Sequence, residues 1–320
     1  MPAPLKNIII AGATGSVGAP ILSALLEAQT FNITVLSRAS SPATFPPNIH
    51  AIKISDEYPL AELTEAFAGQ DAAIIALSTQ TVAHKDGSQK DDLPFRLIDA
   101  AVAAGVKRFI PSEFGTNNLD PKARSLSPVY NAKGEMLEYL MKKSEESDGK
   151  LTWTSFSCGS WLDWALDPAK SGNFLFIDVK NRKATVYDKG TSPFTVTTSK
   201  NTGLAVARAL AEPELSANRQ VFLRDFSTNS LSIIAALEAE MGHKFAVEER
   251  ESAPEMKERR EKYDTGDWNA MFPLLAISFV GDVDVGVNFK EEELWNEKLG
   301  LPKVTLEQVI KEAVELAERS

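Results

Sequence analysis

The sequence has very little cysteine, histidine and positive charge. Its 320 residues include one cysteine, Cys158, so no disulfide can form within the chain. The three histidines, His50, His84 and His243, are scattered, and no Cys/His spacing fits a zinc site, so we expect no metal. The net charge of −10 argues against nucleic acid and anionic membranes as partners, because binding phosphate groups requires a basic surface.

The chain also lacks a long apolar run. No stretch reaches the length of a membrane-spanning helix, and the first residues, MPAPLKN, have no apolar signal core. Together with the single cysteine, this predicts a cytoplasmic protein. With 43% hydrophobic and 24% charged residues the composition is that of a globular protein, and the length predicts about two domains. Composition leaves open whether the protein is a monomer or a homodimer.

What the sequence does contain is a glycine-rich turn directly after an apolar run. Residues 8–11 are apolar, and Gly12, Gly15 and Gly18 follow in the segment AGATGSVG. A short continuous apolar run is typical of a buried parallel strand, and a glycine-rich turn lets a helix N-terminus approach a pyrophosphate. We expect Gly12 to form the tight turn, Gly15 to allow phosphate approach and Gly18 to pack helix against strand. The segment predicts a dinucleotide site.

The first half of the chain alternates predicted strands and helices. This alternation predicts an α/β fold with a doubly wound parallel Rossmann sheet. The predicted strands are residues 8–11, 33–36, 49–53, 72–77, 106–110 and 151–157, and the predicted helices are residues 17–28, 60–68, 95–104 and 131–144.

The alternation stops after Cys158, which predicts a smaller α+β substrate domain from the C-terminal half. We expect an NAD(P)-binding domain over residues 1–158, with residues 195–230 returning to it, and a substrate domain over residues 159–194 and 231–320. Trp161 and Trp164 are the tryptophans best placed to line an apolar cleft, with core packing as the alternative. Other elements expected here are strands at residues 174–179, 184–187 and 221–224, helices at residues 201–211 and 231–241, a charged helix or lid at residues 248–262, and a last helix with a capping box of Thr305 and Gln308.

The residues after the second predicted strand bear on the choice of cofactor. An NAD site has a carboxylate about 20 residues past the glycines, where this chain has Ser37 and Arg38. A guanidinium pairs with a 2′-phosphate, and a serine hydroxyl adds a donor. We therefore predict NADP, in preference to NAD; the alternative is a solvated arginine at a strand end.

Lys133 is the strongest candidate for proton transfer. It lies early on the helix after the fifth predicted strand, and a desolvated lysine near a nicotinamide can act as general acid or base. The alternative is a surface lysine. Tyr130 lies three residues before it, one short of the Tyr-x-x-x-Lys spacing of short-chain dehydrogenases, so a structural tyrosine is the preferred interpretation.

Three segments and Lys133 indicate a family resemblance. The segments are VKRFIPSEFG at residues 106–115, LSR at residues 36–38 and TVTTSKNTGLAVARAL at residues 195–210. With Lys133, they resemble the NmrA-like and isoflavone-reductase-like family in its fungal form. These are atypical short-chain dehydrogenases. The resemblance implies that Lys133 donates or accepts a proton in NADPH-dependent reduction. It implies cofactor contacts at Thr14, Gly15, Ser16, Val17, Gly18, Arg38, Thr79, Ser112, Glu113, Phe114, Cys158, Gly159 and Ser160.

Two departures from the family pattern bear on function. Plant members have a further basic residue after the arginine, whereas Ala39 to Pro42 here contain none, and the turn CGSWLDWALDP differs from theirs. We expect an NADPH-dependent reductase of a small apolar or aromatic molecule, in which Lys133 acts as general acid or base. The alternative is an NmrA-type redox sensor that binds dinucleotide and a partner protein without turnover. Regulatory members often lack the lysine, so its presence favours the reductase.

Overall fold

The computed structural model describes residues 4–47, 49–82 and 92–319. These residues form two compact units. Unit 1 comprises Met1–Phe114, Asn131–Ser157 and Thr202–Val221. Unit 2 comprises Gly115–Tyr130, Cys158–Asn201 and Phe222–Ser320.

A seven-stranded sheet is the centre of unit 1. The strands lie in the order β10-β6-β5-β4-β1-β2-β3, and β1 pairs in parallel with both β2 and β4. Four of the five β1 residues are buried, as expected for a strand covered on both faces. This is the predicted Rossmann sheet. Its strands are β1 Asn7–Ala11, β2 Asn32–Arg38, β3 His50–Ile54, β4 Ala72–Ile75, β5 Arg108–Ile110, β6 Thr152–Ser157 and β10 Arg219–Phe222.

Helices connect these strands, and their apolar faces pack on the sheet. Helix α4 ends at Gly105, whose φ of +75° lets its N–H turn back to the carbonyl of Ala101. The helices wholly or largely in unit 1 are α1 Gly18–Ala28, α2 Leu60–Phe67, α3 Thr79–Val82, α4 Leu93–Ala104, α6 Pro128–Glu146, α8 Ser199–Ala211 and α9 Pro213–Ser216.

A buried arginine holds the returning segment of residues 202–221 in unit 1. Arg108 is 3% exposed and donates hydrogen bonds to Thr154 Oγ1 at 2.9 Å, to Ser216 Oγ at 3.0 Å and to the carbonyl of Pro213 at 2.7 Å. Burial lowers the pKa of Arg108 to about 10, well above neutral pH. The cation therefore ties β5 and β6 to the segment that ends in β10.

Unit 2 contains two small sheets and a separate apolar core. The sheets are β12-β8-β7 and β11-β9. Aromatic residues Tyr187, Phe194 and Phe279 lie in its core. Its elements are α5 Pro121–Leu126, α7 Leu162–Ala165, β7 Ile177–Asp178, β8 Lys183–Tyr187, β9 Phe194–Val196, β11 Phe226–Thr228, α10 Ser230–Met241, β12 Ala246–Arg250, α11 Ser252–Asp264, α12 Met271–Val280 and α13 Leu306–Arg319.

Two element predictions in this half were wrong. Residues 246–250 are a strand paired in parallel with β8, and the charged helix begins only at Ser252. The strand predicted at residues 174–179 is reduced to β7, because Phe176 has a φ of +60° that interrupts extended backbone.

Two other predictions were confirmed. The expected strand near residue 221 is β10, which joins the main sheet. The capping box is present: the Thr305 N–H donates to Gln308 Oε1 at 2.9 Å, and the Gln308 N–H donates to Thr305 Oγ1 at 3.4 Å. Within the described ranges, no helix has both the length and the apolar character needed to cross a membrane.

Candidate active site

The glycine loop follows β1 in unit 1 and leaves no room for a side chain at Gly12 or Gly18. Gly12 has a φ of +83°, and a Cβ on it would lie 2.3 Å from the carbonyl oxygen of Ala76. A Cβ at Gly18 would lie 2.0 Å from the carbonyl oxygen of Gly12. The Gly15 N–H donates to that same oxygen at 2.9 Å. These contacts bring the start of α1 against the end of β1, which is the geometry that presents helix N–H groups to an anion.

This loop forms one wall of a cavity of about 1000 Å³. The cavity opens at the carboxyl ends of β1, β2 and β4, where ligands bind in open α/β sheets. Of the predicted contact residues, those that line it are Gly12, Thr14, Gly15, Ser37 and Arg38. Ser16, Val17 and Gly18 continue the same loop into α1, and Thr79 begins α3 between the lining residues Ser78 and Gln80.

Arg38 is the last residue of β2 and lies exposed at this cavity. Across the described residues, no hydrogen bond or ion pair engages its guanidinium. The nearby Asp56 accepts hydrogen bonds from the Ser40 hydroxyl and from its N–H. These bonds, with a smaller attraction from Arg38, lower the pKa of Asp56 below the usual value of 3.8, so a negative charge also faces the cavity.

The cavity residues that sequence reasoning missed include Asp56, Tyr58 and Arg96. Tyr58 is buried with a φ of +48°, and Arg96 Nη1 donates to the carbonyls of Glu57 at 3.0 Å and Tyr58 at 3.3 Å. Ligands in open α/β sheets bind at the carboxyl ends of the strands, and the same reasoning applied to the third predicted strand would have found Asp56 and Tyr58. Nothing in the sequence pattern pointed to Arg96, because it approaches this turn from a distant helix, α4.

Lys133 lies on α6 and is 9% exposed. Its Nζ donates to the carbonyl of Glu113 at 2.8 Å. The neighbouring Ser112 hydroxyl donates to the carbonyl of Leu77 at 2.8 Å, and Leu77 is a wall residue of the cavity. Among the described residues, Lys133, Ser112 and Glu113 are not part of the cavity wall, and the segment after β5 touches that wall through the Ser112 bond to Leu77. Phe114 continues this segment with a φ of +40°, and its ring stacks on Phe156 with centroids 6.1 Å apart.

Tyr130 has a different environment, in unit 2. It is 5% exposed, and its hydroxyl is 2.8 Å from Ser278 Oγ. Burial raises the pKa of the Tyr130 phenol above its usual value. The burial of this phenol and its bond to a serine support the structural interpretation preferred from the sequence, which stays a prediction.

The predicted turn of residues 158–160 also belongs to unit 2. The N–H groups of Cys158 and Gly159 both donate to the carbonyl of Gly115, at 2.9 and 3.0 Å. Gly159 has a φ of +65°, and a Cβ there would lie 2.2 Å from the carbonyl oxygen of Thr195. Ser160 Oγ is buried and has no hydrogen-bond partner within the described residues.

The described residues contain no group of three or more His, Cys, Asp or Glu side chains that could hold a metal ion. His84, one of the three histidines considered from the sequence, lies outside the described residues.

Comparison with known proteins places this geometry among nucleotide-binding oxidoreductases. A family model described as NAD(P)H-binding matches residues 12–174. The oxidoreductase aprR of Aspergillus flavus is 35% identical over 243 residues, which are 76% of each chain. The oxidoreductase poxI of Penicillium oxalicum is 34% identical over 269 residues, covering 83% of this chain and 79% of that protein.

The fold is shared with solved reductase structures. The structure of AtPrR2 with NADP+ and (+)pinoresinol matches with a TM-score of 0.72 at 18% identity, covering 97% of this chain and 99% of the other. The resemblance seen in the motifs is confirmed at the level of family and fold.

Proposed function

Because this chain belongs to the NAD(P)H-binding family and is an oxidoreductase, we propose that it is an NADPH-dependent reductase of a small apolar or aromatic substrate. The observation that carries the proposal is the cavity of unit 1 in which the glycine loop and the exposed Arg38 meet. That combination suits a ligand with a pyrophosphate and a further phosphate.

The glycine loop fits the pyrophosphate of such a cofactor. Side chains at Gly12 and Gly18 would collide with backbone carbonyl oxygens at 2.3 and 2.0 Å, so only glycine brings the backbone this close. The N–H groups at the start of α1 then face the anion together with the positive end of the helix dipole.

Arg38 supports NADPH over NADH. Its guanidinium is exposed at the cavity, and β2 ends without the carboxylate that hydrogen-bonds the ribose hydroxyls in NAD sites. The Asp56 carboxylate disfavours NADPH, because it attracts Arg38 and repels a phosphate. With no second basic residue in Ala39 to Pro42, the preference for NADPH rests on Arg38 alone in this stretch.

Lys133 is proposed as the general acid or base. NADPH, when bound, supplies the hydride. The carbonyl of Glu113 holds the lysine Nζ at 2.8 Å, so the amine has a fixed position next to the segment whose Ser112 hydroxyl donates to the wall residue Leu77. A positioned amine of this kind holds or transfers a proton at the substrate oxygen as negative charge develops there.

The experiment that tests this function follows NADPH oxidation against panels of phenylpropanoids, quinones and aldehydes. We expect turnover with at least one aromatic substrate and slower turnover with NADH. If no panel member is reduced while NADPH binds tightly, the reductase proposal fails and the redox-sensor alternative replaces it.

A further inference from the structure

The chain contains three serines that directly precede a proline, and the structure gives them different surroundings. They are Ser41, Ser127 and Ser192. A serine before proline is the acceptor of proline-directed protein kinases, and the proline biases it towards the extended backbone that a kinase binds. The surroundings of each serine decide whether a phosphate can be added and what it would contact.

Two of these surroundings disfavour a phosphate. Ser127 is 0% exposed, and its hydroxyl accepts the N–H of Val129. The Ser192 hydroxyl donates to Asp282 Oδ1 at 3.3 Å, and a carboxylate this close repels a phosphate. Ser41 differs from both, because it is only half-buried and lies on the wall of the unit 1 cavity.

The segment around Ser41 is open to modification. Residues 41–46 have no regular secondary structure, and the proline within them is exposed. The hydrogen bonds of this serine lie near the surface: its N–H donates to the carbonyl of Arg38 at 3.1 Å, its Oγ accepts the N–H of Ala43 at 3.3 Å, and its carbonyl accepts Lys53 Nζ at 3.0 Å. Segments held by few buried contacts open locally at a low free-energy cost. A kinase can therefore reach this hydroxyl.

A phosphate on Ser41 would have a cation within reach. The bond to the Arg38 carbonyl closes a four-residue turn with Ser41 and Arg38 at its ends, and both residues line the cavity. Among the described residues the Arg38 guanidinium makes no hydrogen bond or ion pair, and guanidinium groups form charge-assisted bonds with phosphate. Lys53 adds positive charge at the Ser41 carbonyl. Asp56 opposes this attraction, although its carboxylate is already bound to Ser40.

A phosphate at this position would compete with the cofactor proposed for the cavity. A serine phosphate carries a charge of about −1.5 to −2 near neutral pH, as a 2′-phosphate does. Bound to Arg38, it would remove the guanidinium from NADPH and repel the 2′-phosphate. NADH has a hydroxyl in place of that phosphate, so its binding would change much less.

We propose that Ser41 is a phosphorylation site, and that the Ser41 phosphate pairs with Arg38 and excludes NADPH from the cavity. In the modification, Ser41 Oγ attacks the γ-phosphorus of ATP, the bond from that phosphorus to the bridging oxygen breaks to release ADP, and the hydroxyl proton passes to the kinase. The pairing involves unit 1 alone, whereas its effect on NADPH rests on the proposed function.

The full chain with phosphoserine at position 41, introduced during translation by a suppressor tRNA, tests the effect on cofactor binding. NADPH affinity should fall about 30- to 100-fold, because a guanidinium contact is lost and a like charge is added, and NADH affinity should change less than about threefold. Phosphoserine at position 192 is the matched control, since Ser192 also precedes a proline and is half-buried but belongs to unit 2. An unaltered NADPH affinity, or equal losses for NADPH and NADH, would overturn the proposal.

Phosphorus-31 NMR tests the pairing without any cofactor. A guanidinium favours the dianion, so Arg38→Ala should raise the second pKa of the Ser41 phosphate by about 0.5 to 1. Lys142→Ala is the control, because Lys142 is 69% exposed on α6. A second pKa that Arg38→Ala leaves unaltered would exclude the pairing. If the unmodified chain does not bind NADPH, the proposed function fails, and this titration still decides the pairing.

Treatment of the unmodified chain with ATP and a mitogen-activated protein kinase, which is proline-directed, tests the modification itself. We expect mass spectrometry to find phosphate at Ser41 and none at the buried Ser127. Bound NADPH should slow the reaction at Ser41, because two mutually exclusive events oppose each other reciprocally. A peptide of residues 35–48 is the control for recognition of the sequence. The proposal is wrong if the kinase leaves the peptide unmodified, if it modifies the peptide but not the folded chain, or if bound NADPH leaves the rate unaltered.

Discussion

A cavity in unit 1 and a cavity in unit 2 have different linings among the described residues. The cavity of unit 1 is lined by glycines, hydroxyl groups and charged side chains at the carboxyl ends of parallel strands. The cavity of unit 2 is lined by rings held from behind by an apolar core. A site made of backbone N–H groups and an exposed guanidinium favours anions, whereas a site made of rings favours flat apolar molecules. Variants that affect one cavity and spare the other test this contrast.

The largest effect is expected from Lys133→Met. We expect turnover to fall about 10²- to 10⁴-fold, because a positioned proton-transfer group is lost. NADPH affinity should change far less. Single-turnover measurements of NADPH oxidation check this. Lys142→Met is the control, because Lys142 is 69% exposed on the same helix and should leave turnover unaltered. Full activity of Lys133→Met would exclude the proton-transfer role.

Gly18→Ala should damage unit 1 while sparing unit 2. The new Cβ would lie 2.0 Å from the carbonyl oxygen of Gly12, so the loop must shift. We expect a loss of about 1–3 kcal/mol in the free energy of unfolding and a fall in NADPH affinity on the order of 100-fold. Gly149→Ala is the control for NADPH affinity, which should stay unchanged: no atom lies within 4 Å of its Cβ, although its φ of +78° should cost about 1 kcal/mol in the free energy of unfolding. Calorimetry and fluorescence titration measure both effects. An unaltered NADPH affinity would contradict the role of the loop.

Arg38→Ala should reduce NADPH affinity roughly tenfold and leave NADH affinity unchanged, because one charge-assisted contact with the 2′-phosphate is lost. Titrations with both nucleotides measure the ratio. Lys53→Ala removes a nearby positive charge whose Nζ is bound to the carbonyl of Ser41, so it serves as the control. If the affinities for NADPH and NADH fall equally, Arg38 does not determine the preference between them.

Tyr130→Phe tests whether this tyrosine is a packing residue of unit 2. Loss of its hydrogen bond to Ser278 should lower the free energy of unfolding by about 1 kcal/mol, because Ser278 still donates to the carbonyl of Leu275. Turnover should remain within about twofold. A loss of turnover comparable to that of Lys133→Met would instead make Tyr130 part of the proton path.

The smallest effect is expected from Asp56→Asn. Removing the negative charge should raise the ratio of NADPH to NADH affinity about two- to threefold, since exposed charge interactions are weak. The pKa of Asp56 is lowered, so the carboxylate stays ionised as pH falls towards 3.8, and the difference from the wild-type protein should persist from about pH 8 to pH 5. Nucleotide titrations over this range measure it. A difference that disappears already near pH 6 would contradict this assignment.

The difference between the two units also explains which strands could be predicted from the sequence. Strands β1, β2 and β4 of unit 1 are buried on both faces, so their apolar runs are visible in the sequence, and all three were found within a residue or two. Strand β12 is an edge strand whose five residues, AVEER, are all exposed, so its pattern resembles a helix surface. Its pairing with β8 depends on tertiary contacts, which the local sequence pattern does not reveal.

The residues of the candidate site also differ in whether the sequence could reveal them. Gly12, Arg38 and Lys133 follow fixed spacings from a strand or helix, and their functional roles stay predictions. Arg96 reaches the cavity only because α4 packs beside the turn at Tyr58. Contacts of that kind depend on packing between distant segments, which one sequence does not display.

The glycine loop and Arg38 also differ in how much change they tolerate. Gly12 and Gly18 leave no room for any side chain, whereas Arg38 is exposed and makes no hydrogen bond or ion pair through its guanidinium among the described residues. We therefore expect substitution at the loop to disturb the fold, and substitution at Arg38 to alter only the cofactor preference proposed for the cavity. Laboratory evolution towards the other nicotinamide cofactor can begin at the end of β2 and leave the rest of unit 1 as it is.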